Sequence, residues 1–297
     1  MPSSSNDRAA PVAAQTQQPG AAAAQSATAP ARGFYVRKEV WFSLGFLLLA
    51  LAGWEWGTQW LGIPLFIIPP PSKIAVEFVR LLGAENLLFH TGITLMQVLV
   101  GFILGALLGM FIGYVLGMSP TTEFVLSPYI LALQIAPKVA FAPLFVMWFG
   151  YTVYPKILVA ILIVFFPVMV NVVAAVRAID PAQINLARSF NATRMQIFWK
   201  IEFPASMPPL FAGLRIGSTL AVIGIVVGEL VGGTTGLGYL LTFGEGQGNS
   251  PMVFVVIIML TLIGIIAYCA VILLERRVLH YMPRRDFGDV GAQGGKS

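Results

Sequence analysis

The chain contains 297 residues, of which 57% are hydrophobic and only 10% are charged. Soluble domains carry roughly 25% charged residues, so this composition excludes an ordinary soluble protein and predicts an integral membrane protein. A single cysteine, Cys269, excludes an intrachain disulfide framework and a cysteine-rich metal site. The net charge of +5 follows the loops between apolar runs and does not indicate nucleic-acid binding.

The N-terminal region combines a polar tail with a first apolar run. Residues 1–36 are rich in Ala, Gln, Ser and Pro, which predicts a disordered cytoplasmic tail without the apolar stretch of a signal peptide. Residues 37–90 are predicted to form a first span, from about Val40 to Leu61, followed by an external segment. There Ser72 is predicted to cap a short helix, which either lies at the membrane interface or meets an external partner.

The second and third spans carry residues that alter helix packing. The second, from about Ile93 to Met118, has a glycine at every fourth position, which lets a helix of this chain or of a second subunit approach closely. These glycines are Gly101, Gly105, Gly109, Gly113 and Gly117. The third, from about Phe124 to Phe149, contains Pro128, Pro137 and Pro143. The prolines predict kinks whose unpaired carbonyls face protein or a path through the membrane.

Polar residues inside the spans are candidates for the lining or gate of such a path. A lysine near the middle of the bilayer costs about 2.5–3.5 kcal/mol, so Lys138 must line water, form a pair or extend toward the surface. Its pairing with Glu229 is one alternative. Asn171 either faces the path or forms an interhelical hydrogen bond. The full candidate set is Gln134, Pro137, Lys138, Asn171 and Glu229.

Three further spans complete the predicted bundle of six. They run from about Lys156 to Ala178, from Pro209 to Val231 and from Met252 to Leu274. The fifth span has two more series of small residues, and a glycine-rich external connector with a Leu237–Thr242 helix follows it. With six crossings, both termini lie on the same side of the membrane. If that side is the cytoplasm, the external segments contain only three basic residues, Lys73, Arg80 and Lys156. The positive-inside rule therefore places both termini in the cytoplasm.

A polar insert from Asp180 to Pro204 separates the fourth and fifth spans. Asp180 and Pro181 are typical of a helix start, and Asn191 is suited to a left-handed corner. Thr193 and Gln196 predict a capping box for a second helix, which Pro204 is predicted to end. The insert is therefore predicted to be a compact helical corner on the cytoplasmic side.

The insert resembles the "EAA" cytoplasmic loop of binding-protein-dependent ABC-importer permeases. Asn185 stands where that family has Glu, Leu186 where it has its first Ala, and Asn191 where it has Gly. Ala187, Ala192 and Pro204 match the family pattern. Further motifs between about Thr91 and Arg277 resemble the nitrate, sulfonate and taurine branch, which includes transporters of pyrimidine vitamin precursors. They are the stretches 136–144, 148–150, 213–216 and 236–239.

The resemblance implies an all-α, six-span permease of the type I importer fold in the bacterial inner membrane, surrounded by lipid. Its core is residues 91–279, with loop 180–204, followed by a cytoplasmic tail, 280–297. It implies no ATP site in this chain; a separate ATPase dimer binds ATP and Mg. It also implies a solute-binding protein outside and a second permease copy, identical or different. The residues implied to couple to the ATPase are Ile184, Asn185, Ala187, Arg188, Asn191, Ala192 and Thr193.

Other functions and several substrates stay open at the level of sequence. An ion-coupled secondary transporter is the main alternative, although such carriers usually place carboxylates near the membrane midplane, and here only Glu229 and Glu55 come close. A membrane enzyme lacks a plausible catalytic set, since His90 and His280 are the only histidines. The resemblance favours a small polar or anionic organic solute: an alkanesulfonate or taurine, a nitrate-like anion or a pyrimidine vitamin precursor.

Overall fold

The computed structural model describes residues 35–280, and all regular structure in this range is helical. The predicted tails, apart from their innermost residues, fall on 1–34 and 281–297, outside the described residues. The helices are α1 Tyr35–Trp60, α2 Pro71–Ala84, α3 Leu87–Met118, α4 Pro120–Ile135, α5 Ala142–Phe149, α6 Val153–Arg177, α7 Pro181–Ser189, α8 Arg194–Ile197, α9 Phe203–Gly232, α10 Leu237–Gly246 and α11 Ser250–Val278. A 3-10 turn, Lys138–Phe141, joins α4 to α5, and a π-helical turn, Phe198–Glu202, joins α8 to α9.

Five of the described helical segments are long and apolar enough to cross a membrane, and a bent pair makes a sixth if it is one span. The five are Val40–Trp60, Leu87–Met118, Val153–Arg177, Arg194–Gly232 and Ser250–Val278. The bent pair, Thr121–Ile135 and Lys138–Phe149, meets at 78°. Pro137 stands at this break, where the predicted kink is a full interruption of the helix because proline cannot continue the hydrogen-bond ladder.

By its internal contacts the chain divides into two units after Gly53. The described part of the first unit is α1 up to Gly53, whose apolar side chains, such as Trp41 and Phe46, are exposed. The second unit, from Trp54 onward, contains all the other helices. Its core is centred on α6, which packs against both α3 and α9 and has apolar side chains buried along its length.

Glycines on α3 and α9 let both helices pack directly on α6. A Cβ atom at Gly109 of α3 would come within 2.7 Å of the Phe165 carbonyl oxygen. A Cβ atom at Gly224 of α9 would come within 2.7 Å of the Ala160 Cα atom. The predicted close approach is therefore confirmed, and the neighbour of the α3 glycines is α6 of the same chain. Small residues are needed here because the helix backbones themselves are in contact.

Three local predictions were wrong. Pro204 does not end its helix: the π-helical turn widens the backbone ahead of it, and the helix continues as α9. Ser72 does not cap α2, because Glu55 accepts hydrogen bonds from its backbone nitrogen at 2.9 Å and from its hydroxyl at 2.7 Å. The connector helix ends at Gly246 rather than Thr242, since Gly248, with φ +62°, supplies the turn that follows it.

Candidate coupling loop and translocation path

The polar insert forms the predicted helical corner. The Asp180 side chain accepts a hydrogen bond from the Ala182 nitrogen at 2.8 Å and caps α7. Asn191 has φ +55°, the left-handed conformation that its short polar side chain tolerates. Thr193 and Gln196 form a complete capping box, with hydrogen bonds of 3.3 and 2.9 Å between each side chain and the other backbone. The local sequence therefore determines this corner.

The predicted coupling residues divide into two groups on this corner. Ile184, Ala187 and Ala192 are half-buried, whereas Asn185, Arg188, Asn191 and Thr193 are exposed. Beside them are large apolar side chains that the prediction omitted: Phe190, which is 79% exposed, Leu186 and Met195. Exposed apolar groups on an otherwise polar loop are typical of a protein-binding surface, and that signal was available in the sequence.

The insert is connected to α3 through its π-helical turn. The Tyr114 hydroxyl on α3 donates a hydrogen bond to Glu202 at 3.1 Å, and the Tyr114 ring lies edge-on to Phe198 at 5.2 Å between centroids. Ile197 is buried one residue before the turn. Sequence reasoning missed Tyr114, because nothing in the spacing links position 114 to position 202.

Two of the predicted path residues lie together in a cavity of about 370 Å³. The Lys138 ammonium donates to the Gln134 carbonyl oxygen at 2.5 Å and lies 4.9 Å from the centroid of the Phe166 ring. Within the described chain no carboxylate pairs with Lys138. Pro137 stands beside the cavity, at the break between α4 and α5. The lining residues are Gln134, Lys138, Val139, Ile163, Phe166, Pro167, Leu220 and Ile223.

The cavity combines three kinds of surface. Aliphatic side chains of α6 and α9 supply most of the wall, the Phe166 ring supplies a flat aromatic face, and Lys138 and Gln134 supply the polar groups. A small solute with an aromatic or apolar body and a few polar acceptors would fit this chemistry, since mostly apolar pockets use a few polar groups to orient a ligand.

Asn171 lies at the crossing of α6 and α9. Its side-chain nitrogen donates to the Pro167 carbonyl oxygen of its own helix at 2.8 Å, so this bond is not the interhelical one considered above. A Cβ atom at Gly213 of α9 would come within 2.9 Å of the Asn171 Cβ atom. The path role of Asn171 stays a prediction.

Glu229 belongs to a separate buried network near the C-terminal end of α9. Its side chain is 1% exposed and accepts hydrogen bonds from the Thr94 hydroxyl at 2.9 Å and the Gly238 nitrogen at 2.7 Å. The cation that interacts with Glu229 is Lys156, only 3% exposed, and not Lys138. The Lys156 ammonium also donates to the Thr235 carbonyl oxygen at 3.3 Å. The path role of Glu229 stays a prediction, because Glu229 is not among the residues that line the Lys138 cavity.

The same network fixes the segment that precedes α10. The Thr94 hydroxyl accepts from the Leu237 nitrogen at 2.8 Å, and His90 Nδ1 accepts from the Gly236 nitrogen at 3.0 Å. Gly236 has φ +109°, and a Cβ atom there would come within 2.0 Å of a Glu229 carboxylate oxygen. The glycine motif 236–239 is therefore needed for close approach to a buried carboxylate.

Comparison with known proteins gives the family. Residues 101–280 match the family model "Binding-protein-dependent transport system inner membrane component". The chain is 39% identical over 244 residues to the riboflavin transport system permease protein RibX of Chloroflexus aurantiacus, covering 81% of this chain and 91% of that protein. It is 33% identical over 241 residues to the formylaminopyrimidine transport permease protein ThiX of Halalkalibacterium halodurans, covering 81% and 95%. It is also 33% identical over 215 residues to the putative aliphatic sulfonates transport permease protein SsuC of Bacillus subtilis, covering 72% and 78%.

Solved structures show the same fold. A chain in an inward-facing structure of the MetNI methionine ABC transporter matches with a TM-score of 0.55 at 19% identity, covering 67% of this chain and 96% of that chain. These findings support a multi-pass inner-membrane protein that works with a separate ATPase and a binding protein, and they give no support to the ion-coupled alternative. The chain belongs to the binding-protein-dependent transport system inner membrane components, as the permease subunit of an ABC importer.

Proposed function

We propose that this permease conducts a small nitrogen-containing heteroaromatic solute of the vitamin or vitamin-precursor class. The observation that carries this proposal is the 39% identity to a riboflavin permease across 91% of its length. The cavity at Lys138 supports it, because the Phe166 ring can stack on a flat ring while Lys138 and Gln134 bond its polar edge. An alkanesulfonate is the second candidate, since the same ammonium has no carboxylate partner in the described chain and can attract an anion.

Uptake assays distinguish the two candidates. Cells expressing the permease with its ATPase and binding protein are given labelled riboflavin, labelled formylaminopyrimidine or labelled ethanesulfonate in separate assays. We expect uptake of riboflavin or of the pyrimidine, and no uptake of the sulfonate. Uptake of labelled ethanesulfonate alone would overturn the heteroaromatic assignment.

The path through the membrane is proposed to pass the cavity at Lys138. Gln134 and Lys138 line it, and Pro137 lets α4 and α5 meet at an angle beside it. Lys138→Met keeps the length of the side chain but removes the charge and the bond to Gln134. We expect slower solute uptake with normal assembly of the importer. Lys73→Met, an exposed lysine of α2, is the matched control, and equal uptake by both variants would remove Lys138 from the path.

Loop 180–204 is proposed to contact the ATPase dimer, which binds ATP and Mg. Its exposed residues Asn185, Arg188, Asn191 and Thr193, with the apolar Phe190, form a surface on one compact corner. Ile184, Ala187 and Ala192 lie on the same corner and are half-buried. The free energy of ATP binding is then delivered to α9, which is continuous with the loop through the π-helical turn.

The contact is tested by enlarging the two small residues of the corner. In Ala187→Glu/Ala192→Glu the added carboxylates crowd the surface, and we expect the ATPase to be lost from the purified complex. Ala75→Glu/Ala84→Glu, on exposed positions of α2, is the matched control and should retain it. A complex that keeps its ATPase in both variants contradicts the proposed contact.

The assembly is proposed to contain two copies of this permease in a lipid bilayer, with both termini in the cytoplasm. The broken span α4–α5 exposes large apolar side chains along its length, including Phe124, Ile135 and Met147, and these are to be covered by lipid or by the second copy. The proposed division of the chain is a tail, 1–36, a first span and external segment, 37–90, the core, 91–279, and a tail, 280–297. The mass of the purified complex tests the copy number. Two identical copies are expected to assemble when this is the only permease gene expressed.

A further inference from the structure

Among the described residues, one side-chain hydrogen bond connects loop 180–204, the proposed coupling loop, to another helix. It is the bond from the Tyr114 hydroxyl to Glu202 at 3.1 Å. The other side-chain hydrogen bonds of residues 180–202 stay within that segment. Glu202 is 8% exposed, so its carboxylate is placed inside the protein and not on the loop surface.

This bond lies at the point where the helix between loop and membrane is least regular. Glu202 is the last residue of the π-helical turn, and Phe198, which contacts the Tyr114 ring, is the first. Sharp bends in helices concentrate at π-turns and near prolines, and Pro204 follows two residues later. A force applied to α7 and α8 would therefore bend the helix here unless something held the turn from the side.

We propose that Tyr114 and Glu202 are positioning residues that brace the π-helical turn, so that the coupling loop and α9 move as one piece. The hydrogen bond fixes the end of the turn to α3, and the edge-on contact with Phe198 fixes its beginning. Because α3 and α9 both pack on α6 through glycines, the brace also transfers the movement to the centre of the bundle. This inference rests on the proposed contact between loop 180–204 and the ATPase.

The test measures how many ATP molecules are hydrolysed for each solute imported. The complete importer is reconstituted in liposomes with whichever of riboflavin, formylaminopyrimidine or ethanesulfonate it transports. Tyr114→Phe removes the hydroxyl but keeps the ring on Phe198. We expect ATP use per solute to rise about two- to tenfold, the range that corresponds to one lost hydrogen bond. Tyr268→Phe, on α11, is the matched control and should leave the ratio unchanged.

Glu202→Gln separates the hydrogen bond from the charge. Glutamine keeps an acceptor for the Tyr114 hydroxyl, so we expect its ratio to stay within about twofold of the unmodified importer. A ratio as high as that of Tyr114→Phe would assign the effect to the charge and overturn the brace. An unchanged ratio in Tyr114→Phe, or loss of the ATPase from that variant, would overturn it as well. Failure of the docking proposal is seen separately, as retention of the ATPase by Ala187→Glu/Ala192→Glu.

Discussion

The buried charges of Glu229 and Lys156 hold the connecting segment before α10 and the start of α10 in place through hydrogen bonds. Glu229 and Lys156 are almost inaccessible. Two donors, the Thr94 hydroxyl and the Gly238 nitrogen, bond the Glu229 carboxylate, and the Lys156 ammonium interacts with it electrostatically. A buried carboxylate without such partners would be strongly unfavourable. The network therefore has a clear structural task, which is to hold the start of α10 against α3 and α9.

Removing Glu229 tests that task. Glu229→Ala leaves the Lys156 ammonium buried without its counter-charge and the Gly238 nitrogen without its acceptor, so we expect a loss of about 3–5 kcal/mol of unfolding free energy. Denaturant titration of the permease in detergent measures it. Glu245→Ala, at an exposed position of α10, is the control and should change little. Equal losses in the two variants would mean that Lys156 finds another partner.

At the scale of elements, α3, α6 and α9 are joined by backbone contact instead of interdigitated side chains. Gly109→Ala places a methyl group 2.7 Å from the Phe165 carbonyl oxygen, and a backbone atom cannot move aside cheaply. We expect a loss of about 1–3 kcal/mol in the same denaturant titration. Gly92→Ala, on the same helix with nothing within 4 Å, should instead be neutral or stabilising by roughly 0.5–1 kcal/mol. Two equal effects would contradict the close packing.

Helix α2 is joined to the start of α11 through the Glu77 carboxylate, which accepts a hydrogen bond from the Asn249 side chain. Hydrogen bonds from Arg80, and then from Asn249, lower the pKa of Glu77 from its usual value of 4.5 against the opposing effect of burial. A carboxylate whose pKa is lower in the folded state stabilises that state above the unfolded value, and this contribution is lost as the pH falls through the folded pKa.

We therefore expect the stability of the permease to decline in acid partly through Glu77. Glu77→Gln, which cannot ionise, should reduce the difference in unfolding free energy between neutral pH and a pH below 4.5. Glu85→Gln, on the connection after α2, is the control and should keep the full difference. A pH dependence of Glu77→Gln identical to that of the unmodified protein would refute the linkage.

For the whole molecule, the distribution of basic residues predicts which loops face the cytoplasm. In a Cys269→Ser background, Ser189→Cys on the coupling loop should react with a membrane-impermeant maleimide only after the cells are made permeable. Glu245→Cys, on the exposed end of α10, should react in intact cells. The reverse pattern would invert the topology and remove the ATPase contact from the cytoplasmic side.

Much of the coupling loop could be predicted from sequence, and much of the path could not. The cap at Asp180, the left-handed Asn191 and the box of Thr193 and Gln196 are confirmed, because each depends on neighbours within a few residues. The path candidates were chosen by their expected depth in the membrane, and depth does not say which side chains face each other. Sequence reasoning gave Lys138 and Glu229 similar standing, whereas one lines a cavity and the other lies in a sealed network.

The sequence by itself determined the membrane class, the positions of the apolar helices and the corner between them, since these follow from composition and from local hydrogen bonding. It also determined that α3 must pack closely, because a row of glycines leaves no side chains to separate two helices. Only the tertiary structure decided that α6 is the helix they meet, that Lys156 is the partner of Glu229, and that Tyr114 reaches Glu202. Such pairings join residues far apart in the chain, and they depend on how the helices cross, which no local pattern specifies.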